Sequence, residues 1–349
     1  MSITTTCIGA FPKPDYITTG NWSESDDQDT TETRFFNYTN DAAADVPRHL
    51  LHKATAQVIA DQIACGVDIP TDGEQRRENY IHYHCRHLNG FDFENLTEKV
   101  HRNGAAIGPL PSIRNRIRPS GSHFLPEDFK MAQSCTDRPV KITIPGPLTI
   151  IDTTADVFYG DERKLAFDLA DALNHEITAL AAAGCKYIQI DEPLFARKVA
   201  QALDYGTECL DRCFHGLPCD VTRVMHMCCG YPGHLDDEEY AKADPQSYFD
   251  LAEAVDGTSV NQVSMEDAHC FNDLALLEKY QNTAIILGVV TVASSNVESV
   301  EQIQQRLEDA LSHIDKDRLL AAPDCGLIML DRELALKKLS NLCLAARRI

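Results

Sequence analysis

Eight short β-rich apolar runs alternate with stretches of helical periodicity. Polar residues follow directly on the runs, and one segment breaks the rhythm after the second run. Together these observations predict an α/β fold, a (β/α)8 TIM barrel with an insertion between strands 2 and 3. The expected strands are residues 4–8, 67–69, 140–144, 187–190, 221–225, 259–263, 284–288 and 319–322. Between them, residues 44–64, 161–183, 245–254, 297–314 and 331–346 repeat apolar positions at three and four, the spacing of an amphipathic helix. Parallel strands need such crossovers, and eight of them close naturally on themselves.

The first connection, residues 18–45, is polar and acidic and holds the single tryptophan, Trp22; it reads as a long loop. The insertion spans about 91–138, carries Gly104, Gly108, Pro111, Pro119 and Pro126 with a basic run from Arg114 to Arg118, and suits a hairpin and a lid. Residues 1–349 are expected to form one domain, since 349 residues at 44% hydrophobic composition suffice for one barrel core.

Composition excludes some functions. Fifty-three acidic against 32 basic residues give a formal charge of −21, which repels nucleic acid and anionic membranes and also suits a salt-adapted source. No run approaches the ~18 apolar residues of a membrane helix, and the first residues lack a signal-peptide pattern, so a cytoplasmic location is expected. The thirteen cysteines then read as reduced thiols and metal ligands, most of them, such as Cys65 and Cys185, as small core residues.

In such a barrel the chemistry sits at the C-terminal ends of the strands. Four metal-ligating side chains fall there: His226 and Cys228 after the fifth run, Glu266 after the sixth and Cys325 after the eighth. His226 and Cys228 are two apart, so an extended strand end sends both to one face. Imidazole, thiolate and carboxylate together suit Zn2+, and a displaceable carboxylate leaves a place for substrate. Cys229 points to the opposite face and reads as a bystander, and the spacing of Cys209, Cys213 and Cys219 fits no common zinc pattern.

Several segments now stand in order: Thr4-Thr-Thr-Cys-Ile-Gly-Ala-Phe-Pro, Asp72-Gly-Glu-Gln-Arg, Leu88-Asn-Gly-Phe, Gly146-Pro-Leu-Thr, Ile188-Gln-Ile-Asp-Glu-Pro, His226-Met-Cys and Pro323-Asp-Cys-Gly-Leu. They resemble the motifs of the catalytic C-terminal barrel of cobalamin-independent methionine synthase, over nearly the whole chain and without room for that enzyme's N-terminal barrel. The resemblance implies zinc on His226, Cys228, Glu266 and Cys325, and homocysteine as substrate. It gives Glu74 and Asp191 the role of holding the substrate ammonium, and the backbone at Ile8 and Ala10 that of meeting its amino and carboxylate groups. Ala10 replaces the family's serine.

Two departures concern the methyl donor. Ala293 stands where the family carries the histidine that helps protonate the departing folate nitrogen, and the 150–154 stretch lacks the family's tryptophan. A methylated tertiary amine is a poor electrophile unless protonated, so a donor other than ordinary methyltetrahydrofolate is expected: methylcobalamin, a corrinoid protein delivering it, or a sulfonium. His82, His84 and His87 follow Glu74 on an expected helix, where one of them could replace the missing proton donor or all could form a solvated or structural face. The expected chemistry is in-line attack of a zinc-activated thiolate on a methyl carbon; a free thiol, with a pKa of about 8.5, is mostly protonated at neutral pH. Rival readings are an epoxide-opening thiol alkyltransferase of the same superfamily, a uroporphyrinogen decarboxylase-like enzyme without the zinc set, and a non-catalytic zinc- or homocysteine-binding protein.

Overall fold

The structure is a computed structural model that describes residues 2–17, 46–101, 104, 106–231, 233–237, 240 and 242–349. The expected first loop, with Trp22, lies outside the described residues.

Seven strands form one wholly parallel, curled sheet. In chain order they are β1 (Thr4–Thr5), β4 (Lys141–Pro145), β6 (Tyr187–Asp191), β7 (Thr222–Met227), β8 (Gln262–Met265), β9 (Ala284–Gly288) and β10 (Leu319–Ala322). Their spatial order is β1-β10-β9-β8-β7-β6-β4. Every expected run except 67–69 forms a strand within two or three residues of its expected limits. That run makes no ladder: Ile69 bridges Thr6 and Thr71 bridges Lys141, both in parallel, so the segment meets both edges of the sheet through single bridges. Pro70 cannot donate to a ladder, although its carbonyl accepts the Lys141 N–H at 2.8 Å.

Helices pack on the outer face. The 44–64 expectation corresponds to α1 (Arg48–Cys65), which stops at Gly66, whose φ of 106° is open to glycine at little cost. The 161–183 stretch forms α5 (Glu162–Ala182), capped by Asp161, which accepts the Lys164 N–H. The last two helices, Val300–Ala310 and Arg332–Arg348, begin on a Ser299–Gln302 capping box and on Asp331. Residues 194–213 are largely helical as well and supply the crossover from β6 to β7, which none of the expected helices covers.

Inside the curl the sheet is two-sided in character. Ile8, Val224, Ile286, Leu320 and Ala322 form a small apolar cluster, whereas Lys141, Thr143, Gln189 and Asp191 bring buried polar groups from β4 and β6. Between the 69–71 segment and β4 lie helix α2 (His82–Arg86) and an antiparallel hairpin, β2 (Leu88–His101) with β3 (Ala106–Pro119), followed by helix α3 (Leu125–Gln133); after β4 come α4 (Pro147–Asp152) and the two-residue β5 (Ala155–Asp156), which pairs in parallel with β3. Among the described residues no helix is long and apolar enough to cross a membrane.

Candidate metal centre and substrate pocket

The sheet's parallel register lines up the strand ends that the sequence singles out. Pro145 stands opposite Asp191, Asp191 opposite His226, and Met227 opposite Met265, so Cys228 and Glu266 both come one residue beyond a matched pair. A cavity of about 170 Å³ opens over these ends, with Ile8, Ala10, Glu74, Asp191, His226, Cys228 and Cys325 among its walls.

One donor atom each from His226, Cys228 and Cys325 lies within 4.8 Å of the other two. His226 Nδ1 is 3.1 Å from Ser264 Oγ, which orients the ring, while its buried Nε2 has no hydrogen-bond partner. An orphaned imidazole nitrogen facing two thiols has the chemistry of a soft metal site that keeps its outer partner. The residues present therefore fit a zinc ion. Glu266 does not join this trio. Its Oε2 accepts the Cys229 N–H and its Oε1 the Cys270 thiol, each at 2.9 Å, and its donor atom groups with those of Cys229 and Cys270. Cys229, expected as a bystander, thus contributes its backbone to holding Glu266.

Glu74 sits in the left-handed backbone region at φ 56°, which costs a non-glycine residue about 1–3 kcal/mol. Asp72 Oδ1 accepts the Glu74 N–H at 3.0 Å, and Thr143 Oγ1 donates to Glu74 Oε1 at 2.7 Å. Gly9 makes room for this carboxylate, since a Cβ there would lie 2.6 Å from Glu74 Oε1. Burial pushes the Glu74 carboxyl up to about 7, against the pull of Arg77, 3.3 Å away, and with a further push from Asp191. Asp191 is raised by burial too, which His226 opposes, and its Oδ1 accepts from Gln189 Nε2 at 2.7 Å. The same amide donates to the Ile8 carbonyl at 2.8 Å, while the Ala10 carbonyl accepts the Leu327 N–H at 2.7 Å. Two carboxylates buried at one wall, both raised by that burial, suit a ligand bearing positive charge.

The structure adds supporting residues that strand-end reasoning misses. Glu192 is fully buried, accepts the Leu148 and Thr149 N–H groups at 2.9 and 3.0 Å, and is pushed by burial up to about 8. Gly146 admits it, because a Cβ there would come within 2.2 Å of its carboxylate. Asp324 accepts the N–H groups of Asp267, Ala268 and His269, and so fixes the loop that bears Glu266. Both signals were present in the Asp-Glu-Pro and Pro-Asp-Cys motifs, whose second and first acids respectively need a partner when buried.

Of the three histidines, His82 lines the cavity, but burial lowers it to about 4 and a ring nitrogen lies 3.0 Å from the Thr153 carbonyl. Burial also lowers His84 well below its ordinary value, and His87 stacks on Phe124 at 4.1 Å. A neutral His82 is a poor acid near neutrality, so the structural face is the better account. Ala293 is buried, with its carbonyl accepting the Asp236 N–H at 2.8 Å. Cys209, Cys213 and Cys219 belong to no metal-binding group among the described residues.

Residues 3–348 match the family described as Cobalamin-independent synthase, Catalytic domain. The methionine synthase of Saccharolobus solfataricus is 31% identical over 350 residues, 97% of this chain and 92% of that one. The methionine synthase of Sulfolobus acidocaldarius is 28% identical over 341 residues, with 97% and 89% covered. The structure of a B12-independent methionine synthase from a Shewanella species, in complex with selenomethionine, superposes with a TM-score of 0.85 at 27% identity, covering 99% of this chain and 97% of that one. These likenesses correct one expectation: a cobalamin-independent family gives no support to methylcobalamin or a corrinoid carrier as donor. The chain belongs to the cobalamin-independent synthase catalytic-domain family and is a methyltransferase of the methionine-synthase kind.

Proposed function

We propose that this protein is a zinc-dependent homocysteine S-methyltransferase that forms methionine, built as one domain whose 69–71 segment closes the sheet into an eight-staved barrel. One observation carries the reading: the His226–Cys228–Cys325 trio faces the same cavity as the Glu74 and Asp191 carboxylates. That separation suits a molecule with a thiol at one end and an ammonium at the other. The selenomethionine held by the Shewanella protein is such an amino acid after methylation, with selenium in place of sulfur.

His226, Cys228 and Cys325 would hold zinc, with Glu266 as the exchangeable fourth ligand. When bound, zinc supplies the acidity that lets a thiol react as thiolate near neutral pH. The chain's own residues do the rest. Glu74 and Asp191 bind the ammonium, and Arg77 and Thr143 hold Glu74 in place. The backbone at Ile8 and Ala10 sets the carboxylate end of the substrate, fixing the sulfur for in-line attack. Tyr80, Ile81 and Leu194 line the same cavity and limit water in it. Neither Ala293 nor a neutral His82 supplies a proton to a leaving amine, which favours a donor other than ordinary methyltetrahydrofolate; a methyl sulfonium needs no such proton. Retention of both carboxylates favours an amino-acid thiol over the thiol cofactor of an epoxide-opening relative, and the zinc-type donor set disfavours a decarboxylase.

The test is methionine formation by zinc-loaded protein from homocysteine with methyltetrahydrofolate, an S-methyl sulfonium or methylcobalamin. Turnover with the sulfonium is expected. Efficient turnover with methyltetrahydrofolate alone would overturn the donor assignment, and no turnover with any donor would overturn the activity.

A further inference from the structure

The hydrogen bonds of Glu266 describe a built site rather than a loose side chain. The residue is buried, and both carboxylate oxygens have donors: the Cys229 N–H on one and the Cys270 thiol on the other. Cys229 follows Cys228 directly, so this seat shares a peptide with a residue of the trio. Cys270 is fixed independently. Its turn closes through Phe271 N–H to the Asp267 carbonyl at 2.7 Å, three N–H groups of that turn's start are clamped by Asp324, and Arg306 grips the Asp267 carboxylate at 2.6 and 2.8 Å. The thiol is therefore held where the Glu266 carboxylate meets it.

A buried carboxylate stripped of partners costs several kcal/mol, so a ligand that yields its position needs another place for its charge. We infer that Cys270, together with the Cys229 N–H, forms a second seat for Glu266, and that the carboxylate alternates between this seat and the fourth ligand position beside His226, Cys228 and Cys325. The inference rests on the metal reading proposed above. In the exchange the carboxylate gives up its ligand position and takes the S–H and N–H donors. With zinc held by His226, Cys228 and Cys325, the position given up by Glu266 would be open to the substrate thiol, whose proton would pass to solvent, so that bonds and charge balance. Cys270 is thus a positioning residue that never touches substrate.

The seat stabilises the forms in which Glu266 is off the metal, which are the metal-free chain and the thiol-bound one. It does nothing for the form in which Glu266 is a ligand. Removing the thiol donor therefore moves two affinities in opposite directions. In Cys270→Ala, zinc binds about five- to tenfold tighter and homocysteine about five- to tenfold weaker, the range for one ordinary net hydrogen bond, as suits a weak thiol donor. A packing lesion would instead weaken both. Cys270→Ser, whose hydroxyl also donates, returns both values toward those of the unaltered protein. In a Glu266→Ala background the Cys270→Ala change alters neither.

The experiment uses the full chain: zinc affinity by chelator competition, and homocysteine affinity by calorimetry on zinc-loaded protein. Opposite-signed shifts with serine rescue support the seat. Same-signed shifts, or none, overturn it. If the unaltered protein takes up no zinc, or binds homocysteine equally with and without it, the metal reading falls and the seat with it; that control separates the two failures.

Discussion

Asp191 at the end of β6 stands opposite His226 on β7 in the parallel ladder, so one residue pair joins the carboxylate wall of the cavity to the candidate metal centre. Homocysteine would lie along that junction, with its ammonium toward Asp191 and Glu74 and its sulfur toward His226, Cys228 and Cys325. Several outcomes follow from this placement.

Cys325→Ser replaces a soft thiolate donor with a hydroxyl that stays protonated. Zinc affinity is expected to fall about 100-fold or more, measured by chelator competition or metal content, while the circular dichroism spectrum is retained. Full zinc retention would remove Cys325 from the ligand set.

Asp191→Asn and Glu74→Gln each leave a substrate ammonium with one carboxylate. Losing a buried ionic partner costs about 3–5 kcal/mol, so KM for homocysteine should rise by 100-fold or more, roughly, while kcat changes less. An amine-free thiol such as 4-mercaptobutyrate should react no worse with these variants than with the unaltered protein. Equal losses for both substrates would count against the ammonium site.

The Glu74 carboxyl, pushed up to about 7 by burial, gives a pH dependence with a definite sign. An ordinary glutamate releases its proton near 4.5. Its folded form holds the proton longer, so its contribution to stability is complete below that value and is lost as pH climbs to about 7. Ammonium binding runs the other way, because only the ionised carboxylate attracts the cation. Methionine, which has no thiol to titrate, should bind about tenfold tighter at pH 8 than at pH 6, by calorimetry. Glu74→Gln should flatten that curve, and an unchanged slope in the variant would assign the titration to another group.

Gly9→Ala places a Cβ 2.6 Å from Glu74 Oε1, which must then swing away from Thr143. The expected signature is a KM for homocysteine raised about tenfold or more with the fold intact, a small displacement being enough to misplace a charge. A KM within twofold of the unaltered protein's would show that the pocket absorbs the methyl group.

Much of this was legible in the chain. The 284–288 and 319–322 runs match β9 and β10 in full, because buried parallel strands are written as continuous apolar stretches. His226, Cys228 and Cys325 were legible for a related reason: a polar, ligating residue directly after such a run is expensive there unless it has a task. The 194–213 stretch was not expected as helix: Ala202, Tyr205, Cys209, Leu210 and Cys213 are buried at helical spacing, but the exposed Leu203 and the division into four short segments obscure the pattern. Nor was the break at 67–71, where Pro70 interrupts pairing that the apolar run invites.

By itself the sequence determined the alternation of strand and helix, and which side chains stand at the strand ends, since burial and periodicity are local properties of the chain. Only the tertiary structure decided what those side chains meet. Glu266 is placed on Cys229 and Cys270 rather than with the trio, and Glu74 is held between Arg77 and Thr143 in a gap left by Gly9. Such contacts join residues up to 69 positions apart, as in the Thr143–Glu74 bond, and are set by sheet register and close packing, which no local pattern encodes.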